Sequence, residues 1–222
     1  MKTAIAKNGR TVAAGIIAWS ALLALCGAPA AATGDPYPLG HCIVSGEKLG
    51  SMGNPVSHEY KGRNILFCCA GCVKSFDKEP EKFLKRMDEE IIKTQTPLYP
   101  LDTCVVSAEK LGGEMGAPVD YVYNNRLVCF CCKACIKTFE KDPAKHLKKL
   151  DDAVVAGQKP SYPLTTCPVT GRKLGAGAID HVSGNRLIRF CSPSCASAFE
   201  KNPPKYWAQV DAAVKTAVVS PR

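Results

Sequence analysis

The sequence predicts an α+β fold: three small ββα units in tandem, each with a trailing helix, preceded by a signal peptide. The motif Tyr-Pro-Leu-x-x-Cys occurs three times, with start-to-start distances of 62 and 63 residues. Such a regular period indicates one structural unit repeated along the chain. Within each period, a short alternating apolar stretch precedes apolar residues at helical spacing, which predicts strands followed by helices. We assign the repeats to residues 35–97, 98–160 and 161–222.

The N-terminal segment, residues 1–32, has the pattern of a secretory signal peptide. Its first ten residues include three basic side chains and no acidic one: Lys2, Lys7 and Arg10. An apolar run over residues 11–25 and a small-residue stretch over residues 28–32 follow. Lipid attachment at Cys26 is disfavoured because the large Leu25 precedes it. We therefore expect an exported protein, periplasmic or extracellular, with no stable membrane span after signal removal.

The charge pattern argues against a nucleic-acid partner. The formal net charge of the whole chain is +9, and it falls to +6 without the basic residues of the signal segment. The remaining Lys and Arg are interspersed with Asp and Glu and form no basic block, which favours solubility over binding to phosphates. The expected export of the protein also makes a nucleic-acid partner unexpected.

The second strand of a hairpin is predicted three times, where apolar and β-branched residues alternate before a cysteine. These stretches are residues 63–67, 126–130 and 186–190. A helix is expected to begin at the cysteine pair that follows. The reason is that an apolar residue and a phenylalanine three positions apart would share one helical face.

A second helix is predicted in each repeat. An Asp-Pro or Asn-Pro pair starts it in repeats 2 and 3, and a weaker Glu-Pro pair in repeat 1. The expected first helical residues are Pro80, Pro143 and Pro203. Apolar residues then recur at helical spacing: Phe83, Leu84 and Met87; Leu147, Leu150 and Val154; Tyr206, Trp207 and Val210. Polar segments at residues 93–97 and 157–161 are predicted to link successive units.

Twelve cysteines remain after Cys26 is removed, a density that indicates a disulfide framework or a set of metal sites. Three recur in every repeat, with three residues between the second and the third: Cys42, Cys68 and Cys72; Cys104, Cys131 and Cys135; Cys167, Cys191 and Cys195. A unit of about 60 residues has a marginal core. Each repeat is therefore expected to need a staple of sulfur–sulfur or sulfur–metal bonds.

The recurring triads favour a soft metal ion. Two cysteines four positions apart in a first helical turn lie on one face, where both sulfurs can reach an ion held against the first cysteine. A helix N-terminus also favours thiolate, the form that binds metal. A disulfide framework is the alternative, since this spacing can bridge and export permits it. The odd number of cysteines in the triad argues against purely structural pairing, but metal binding when reduced and disulfides when oxidised are compatible.

A family resemblance rests on features that the repeats share. The first cysteine is followed by a small turn, a hairpin such as residues 60–63, the pattern Phe-Cys-x3-Cys-x3-Phe, and an acidic or amide residue before proline. This run resembles the TRASH domain and the related YHS domain. The resemblance implies small cysteine-rich modules of treble-clef, zinc-knuckle-like type, linked to trafficking, resistance and sensing of heavy metals.

The chain departs from this pattern in the turn after the first cysteine. Where many such modules have a second cysteine, this chain has Ser45, Ser107 and Thr170. A hydroxyl is a poor ligand for a soft ion and is expected to cap the turn or to hydrogen-bond a thiolate. A standard four-cysteine zinc site is therefore not expected, and each site has three thiolates with a fourth position open or filled from elsewhere.

Several side chains are candidates for the fourth position. Cys69 and Cys132 are additional sulfurs that repeat 3 replaces with Ser192. His58 and His181 occupy equivalent positions before the hairpin. Thioethers would suit Cu(I), but repeat 3 has none at the position of Met52 and Met115, so these two are expected to fill packing gaps.

The residue patterns point to binding, not to an enzyme. No phosphate-cradling loop, repeated carboxylate pair or repeated Cys-His pair is found in the sequence. We expect a protein that binds, buffers or hands over a heavy-metal ion such as Zn(II) or Cu(I), about one per repeat, with a metal-handling protein as a candidate partner. The alternatives are an interaction scaffold stapled by zinc or disulfides, and a thiol redox protein.

Overall fold

Each of the three units folds into a two-stranded antiparallel sheet followed by two helices. The computed structural model describes Met1 and residues 34–219, so the predicted signal peptide lies outside the described residues. Unit 1 contains β1 (Val56–Tyr60), β2 (Arg63–Phe67), α1 (Ala70–Lys78) and α2 (Pro80–Gln95). Unit 2 contains β3 (Val119–Tyr123), β4 (Arg126–Phe130), α3 (Lys133–Phe139) and α4 (Pro143–Gln158). Unit 3 contains β5 (Ile179–Ser183), β6 (Arg186–Phe190), α5 (Pro193–Lys201) and α6 (Pro203–Val219). The α+β class and the threefold repetition are confirmed.

The predicted strands match β2, β4 and β6 residue for residue, and each pairs with the strand before it in the same register. Two residues join the strands of each hairpin, and in the second unit both have positive φ: Asn124 at 44° and Asn125 at 72°. Two consecutive left-handed residues are the mark of a type I′ turn, whose twist matches that of paired strands. Asparagine tolerates this conformation better than most residues.

The first helix of each unit begins later than predicted. Cys68 follows directly after β2, Cys69 is an extended N-cap residue with φ of −159°, and α1 begins only at Ala70. The expectation that both recurring cysteines of the pair share the first helical turn is therefore wrong. The chain must leave the extended strand conformation before a helix can start, and that change takes the two residues between β2 and α1.

The second helices start where the proline pairs predict, at Pro80, Pro143 and Pro203. Asp142 caps α4, since its side chain accepts a hydrogen bond from Lys145 N at 3.2 Å. Glu79 makes no such side-chain bond in unit 1, in agreement with its weaker capping tendency.

Each unit has its own core, built around one pair of phenylalanine rings. The phenylalanine that ends the second strand contacts the one in the following helix, with ring centroids 5.4, 5.4 and 5.7 Å apart in the three units. Apolar residues of the second helix close each core: Met87, Leu150 and Val210 are all buried. The cysteine triads belong to these same clusters.

The segments predicted as polar linkers are the ends of α2 and α4 with the 3-10 turns Thr96–Leu98 and Lys159–Ser161. Gln95 is only 2% exposed. Its side chain donates to Asn125 O at 3.1 Å and accepts from Leu127 N at 2.9 Å, so it caps the hairpin edge of unit 2. Gln158 makes the same two bonds to unit 3. Gln95 is therefore a buried contact between units 1 and 2, and Gln158 is a half-buried contact between units 2 and 3.

A second set of contacts between units joins arginines to the hairpin turns. Arg63 Nε donates to Asn125 Oδ1 at 2.9 Å, and Arg126 Nε donates to Asn185 Oδ1 at 2.8 Å. Asn125 and Asn185 are fully buried at 0% exposure, and Arg126 is nearly so at 3%. The described residues 34–219 accordingly belong to one compact unit that carries all three cysteine sites.

Candidate metal centres

Three groups of cysteine side chains come together, one in each unit, and each group could hold a metal ion. In every group the ligand atoms lie within 4.8 Å of one another. The groups are Cys42, Cys68 and Cys72; Cys104, Cys131 and Cys135; Cys167, Cys191 and Cys195. These are the nine cysteines that recur in all three repeats of the sequence.

A tight turn holds the first cysteine of each triad. In unit 1 the turn lies between the bridge residues His41 and Lys48. Cys42 N donates to Glu47 O at 2.8 Å, and Gly46 N donates to Cys42 O at 2.8 Å. Gly46 has a φ of 77°, which favours glycine. The same two backbone bonds recur in units 2 and 3 and present the thiol to the other two cysteines.

The strand end and the following helix supply the other two thiols. Their Sγ atoms are 3.6 Å apart in unit 1, 3.7 Å in unit 2 and 3.8 Å in unit 3. A zinc ion about 2.3 Å from each of two thiolates in tetrahedral geometry would separate the sulfurs by about 3.8 Å. The spacing of the sulfurs therefore fits a metal ion between them without rearrangement of the backbone.

The hydroxyls of the turn have the two roles expected from the sequence. Ser45 Oγ accepts a hydrogen bond from Glu47 N at 3.2 Å, which closes the turn, and lies 3.3 Å from Cys68 Sγ. Ser107 and Thr170 make equivalent contacts, 3.3 and 3.2 Å from the second cysteine of their triads. Each site thus has a hydroxyl beside its sulfurs that can donate to a thiolate.

The first thiol of each triad has a lowered pKa. Burial raises the pKa of Cys42, but hydrogen bonds from Ser45 and from the backbone of Cys68 outweigh it and lower the pKa to about 7. The same balance lowers the pKa of Cys104 to about 7 and that of Cys167 to about 6. One sulfur in each site is therefore close to thiolate near neutral pH, which is the state that binds metal.

The last thiol of each triad has the opposite tendency. Burial, together with hydrogen bonds to the neighbouring sulfurs, raises the pKa of Cys72 and that of Cys135 to about 12. Burial also raises the pKa of Cys195. Without an ion the sites hold these protons, so metal binding would displace them.

The additional sulfurs of units 1 and 2 lie at the rim of their sites. Cys69 Sγ is 3.8 Å from Cys72 Sγ, and Cys132 Sγ is 3.8 Å from Cys135 Sγ. Both are more exposed than the triad members of their units, and neither belongs to the groups in which all ligand atoms are close together. In unit 3 the Ser192 hydroxyl takes this place, 3.2 Å from the Cys195 sulfur.

The two candidate histidine ligands lie outside the three cysteine groups. His58 Nε2 is 3.2 Å from Asp77 Oδ1, and its ring contacts the phenylalanine pair of unit 1. His181 contacts the corresponding pair of unit 3, and its Nε2 is buried with no hydrogen-bond partner. The structure therefore places both histidines against the aromatic cores of their units.

The loop methionines are surface residues. Met52 is 66% exposed and Met115 is 61% exposed, so the expectation that they fill packing gaps is wrong. Met115 lines an open cavity of about 650 Å³ in unit 2, together with Cys131, Cys132 and Cys135. The second site is thus reachable from solvent through a mouth that carries a thioether.

Cys129 has no counterpart in the other units and stands apart from the triads. Its thiol is buried and donates to Asp120 Oδ1 at 3.4 Å. Burial and the Asp120 carboxylate raise the pKa of Cys129 far above its usual range. This cysteine is therefore held as a neutral thiol, and it offers a control for experiments on the triads.

Comparison of the chain with protein-family models, with curated proteins and with solved structures finds no match. The geometry of the three sites therefore carries the functional interpretation.

Proposed function

We propose that the protein binds one soft metal ion in each of its three cysteine triads and acts in binding, buffering or handing over that ion. The observation that carries the proposal is the threefold convergence of cysteine ligand atoms within 4.8 Å. The distance between the sulfurs of the strand-end and helix cysteines differs by only 0.2 Å among the three units. Three copies of one arrangement support a common ligand.

The donor set points to Zn(II) or Cu(I). Thiolate ligands select soft ions over calcium and magnesium, which prefer oxygen. Three thiolates complete a trigonal Cu(I) site or leave one position of a tetrahedral Zn(II) site open. An open fourth position supports hand-over, because an incoming ligand can bind before an outgoing one leaves.

We further propose that each unit is a TRASH/YHS-like module of treble-clef type and that the protein works as an exported carrier and not as an enzyme. The cysteine spacing supports the family proposal, and the basic start followed by an apolar run supports export. In the described part of the chain, no helix has the length and apolar character needed to span a membrane. A metal-handling protein is the partner that such a carrier would need.

Native mass spectrometry of the reduced protein supplied with Zn(II) or with Cu(I) tests the proposal. We expect three bound ions per chain with the ion that the sites prefer. The Cys129→Ser variant should bind the same number, because Cys129 lies outside the triads. Absence of bound ions from the reduced, folded protein with either metal would contradict the proposed function.

A second candidate, a scaffold that metal ions merely hold together, is favoured by one observation: the triads belong to the hydrophobic cores of their units. Circular dichroism during titration with a chelator separates the two candidates. A carrier should lose its ions and keep its secondary structure, whereas a metal-stapled scaffold should unfold as the ions leave.

A further inference from the structure

Units 1 and 2 contain a Cys-x-x-Cys pair that the triads do not explain. Cys69 and Cys72 form the first pair, and Cys132 and Cys135 form the second. Only one member of each pair belongs to a triad. Unit 3 has Ser192 at the outer position and therefore lacks the pair.

Each pair is placed for a disulfide bond. The two sulfurs are 3.8 Å apart in both units. Backbone bonds hold the turn between the partners: Cys72 N donates to Cys69 O at 3.1 Å, and Cys135 N donates to Cys132 O at 3.2 Å. A disulfide requires an S–S distance of about 2.05 Å, which rotation of the outer side chain can supply because that side chain lies at the surface.

Exposure determines which sulfur meets an external oxidant first. Cys69 and Cys132 are half-buried, whereas Cys68 is 5% exposed and Cys72 is 8% exposed. In unit 2 Cys132 and Cys135 line the cavity of about 650 Å³, so a small molecule can reach the pair; Cys131 also lines this cavity but is only 4% exposed. Thiol–disulfide exchange needs this access in addition to a thiolate.

We propose that Cys69 with Cys72, and Cys132 with Cys135, are two disulfide-forming sites for a small-molecule disulfide oxidant, and that their oxidation releases the ions of units 1 and 2 while unit 3 keeps its ion. The release of ions rests on the proposed function, whereas the formation of the two disulfides does not.

The exchange balances in two steps. The Cys132 thiolate attacks one sulfur of the oxidant R–S–S–R, the S–S bond breaks, and one thiolate RS⁻ leaves as a mixed disulfide forms. The Cys135 thiol then gives up its proton to solvent, and its sulfur attacks the Cys132 sulfur and displaces the second RS⁻. The protein loses two electrons, the oxidant gains them, and the leaving thiolates take up protons from solvent. The triad of unit 2 is left with two thiolates, too few to retain the ion. The pair in unit 1 reacts in the same way.

In every unit the two triad cysteines that are four positions apart could form a competing disulfide, since their Sγ atoms are 3.6 to 3.8 Å apart. In units 1 and 2 both of its members are buried, so the outer cysteine reacts first. In unit 3 Cys191 is half-buried, and a bridge from Cys191 to Cys195 is the alternative that the experiment must separate.

The first experiment uses the reduced, metal-free full chain equilibrated with glutathione disulfide, quenched with acid, alkylated and mapped by peptide mass spectrometry. Trypsin cleaves after Lys133, between Cys132 and Cys135. In unit 2 the two resulting peptides stay joined only by a disulfide, so fragmentation can identify the linked cysteines. We expect bridges from Cys69 to Cys72 and from Cys132 to Cys135, with the unit 3 thiols alkylated. A bridge in unit 3 that forms to the same extent, bridges that use Cys68 or Cys131, or the absence of disulfides would overturn the proposal.

The second experiment follows ions released from the zinc-loaded protein into a chelating dye after addition of glutathione disulfide. The unaltered protein should release two of three ions, Ser192→Cys should release all three, and the double variant Cys69→Ser with Cys132→Ser should release none. Cys129→Ser serves as the control and should behave like the unaltered protein. A double variant that releases ions like the unaltered protein, or that binds one ion when reduced, contradicts the proposal.

The two experiments keep the proposals separate. If the reduced protein binds no ion but forms the two disulfides, the proposed function fails and the disulfide sites stand. If it binds three ions but forms neither disulfide, the proposed function stands and the disulfide sites fail.

Discussion

The first two units and the third unit share the centre of the cysteine site but differ at its rim. All three have a turn cysteine, a strand-end cysteine and a helix cysteine in the same arrangement. Units 1 and 2 add an outer cysteine and an exposed methionine, whereas unit 3 has Ser192 and a loop without methionine. The comparison shows that the three sulfurs that could hold an ion keep one arrangement in every unit, whereas the chemistry of the rim differs.

Units 2 and 3 also differ on their sheets. Cys129 in β4 contacts Asp120, and the matching residue of β6, Arg189, makes an ion pair with Asp180 at 2.7 Å. Both partners lie opposite each other in the hairpin register. The Asp120 carboxylate is bonded by a buried neutral thiol, whereas the Asp180 carboxylate is bonded by a partly exposed ion pair. The cysteine triads have the same arrangement in both units.

The largest effect is expected from breaking one triad. Cys104→Ser should reduce the number of bound ions from three to two by native mass spectrometry. Structural zinc sites contribute about 10–16 kcal/mol over four ligands, so one thiolate is worth on the order of 3 kcal/mol, or roughly 100-fold in affinity. The matched variant Cys129→Ser, in the same unit, should keep three ions. Equal numbers for the two variants would show that the unit 2 triad is not a metal site.

The next effect concerns the contacts between units. Gln95→Ala should lower the free energy of unfolding by about 2–4 kcal/mol, because it leaves Leu127 N and Asn125 O without partners where both residues are fully buried. Gln158→Ala should cost about 1 kcal/mol, because Gln158 is half-buried, whereas Gln95 is 2% exposed, and water can take the place of its amide. Urea denaturation measures both. The two interfaces would be energetically equivalent if the two variants unfold at the same urea concentration.

A smaller effect is expected of pH on the reduced, metal-free protein. The folded pKa of Cys42, Cys104 and Cys167 lies below the ordinary value, so at these three thiols the folded state binds fewer protons than the unfolded state. This stabilisation is present above the unfolded pKa of about 8.5 and is lost as pH falls through about 7 in units 1 and 2 and about 6 in unit 3. Urea midpoints measured from pH 9 to pH 5 report it.

Cys167→Ser provides the check on this pH dependence. It should remove the part of the decline that lies between pH 7 and pH 6, whereas Cys129→Ser should leave the profile below about pH 8 unchanged, because the unfolded Cys129 thiol ionises only above that range. An unaltered slope in Cys167→Ser would show that the thiol of unit 3 is not ionised in the folded protein.

The smallest effect concerns the turn that holds the first cysteine. Ala108 has a φ of 64°, where the other units have Gly46 and Gly171. A left-handed conformation costs a residue with a Cβ about 1–2 kcal/mol, partly offset by the greater chain entropy of glycine. Ala108→Gly should therefore stabilise the protein by about 0.5–1 kcal/mol, and Gly46→Ala should destabilise it. Thermal midpoints measure both, and a lower midpoint for Ala108→Gly would refute the strain in unit 2.

Local signals made much of the fold predictable. The second strands were predicted to the residue because alternation between Arg63 and Phe67 and its copies is a pattern of adjacent positions. The second helices were predicted to begin at Pro80, Pro143 and Pro203 because proline favours the first helical position. The triads followed from comparison of the three repeats within the chain.

Other features could not be read from neighbouring residues. Gln95 lies in a polar, proline-containing segment that is typical of a linker, yet it is buried against a hairpin about 30 residues further along. The start of α1 depends on how the chain leaves β2, and the exposure of Met115 depends on how its loop lies on the folded unit. Repeat 2 has a glutamine, Gln158, at the position equivalent to Gln95. Comparison of the repeats could therefore have indicated a structural role for Gln95, whereas the local composition of the segment does not.

The sequence by itself determined the three units, their strands and helices, and the nine cysteines that come together, because repetition, periodicity and capping act between near neighbours. Only the tertiary structure decided that the sulfurs of each triad lie within 4.8 Å, that Cys69 and Cys132 lie at the rim, and that glutamine and asparagine side chains join the units. These features depend on contacts between residues that are distant in the chain, and such contacts exist only when each unit has folded and the units have packed together.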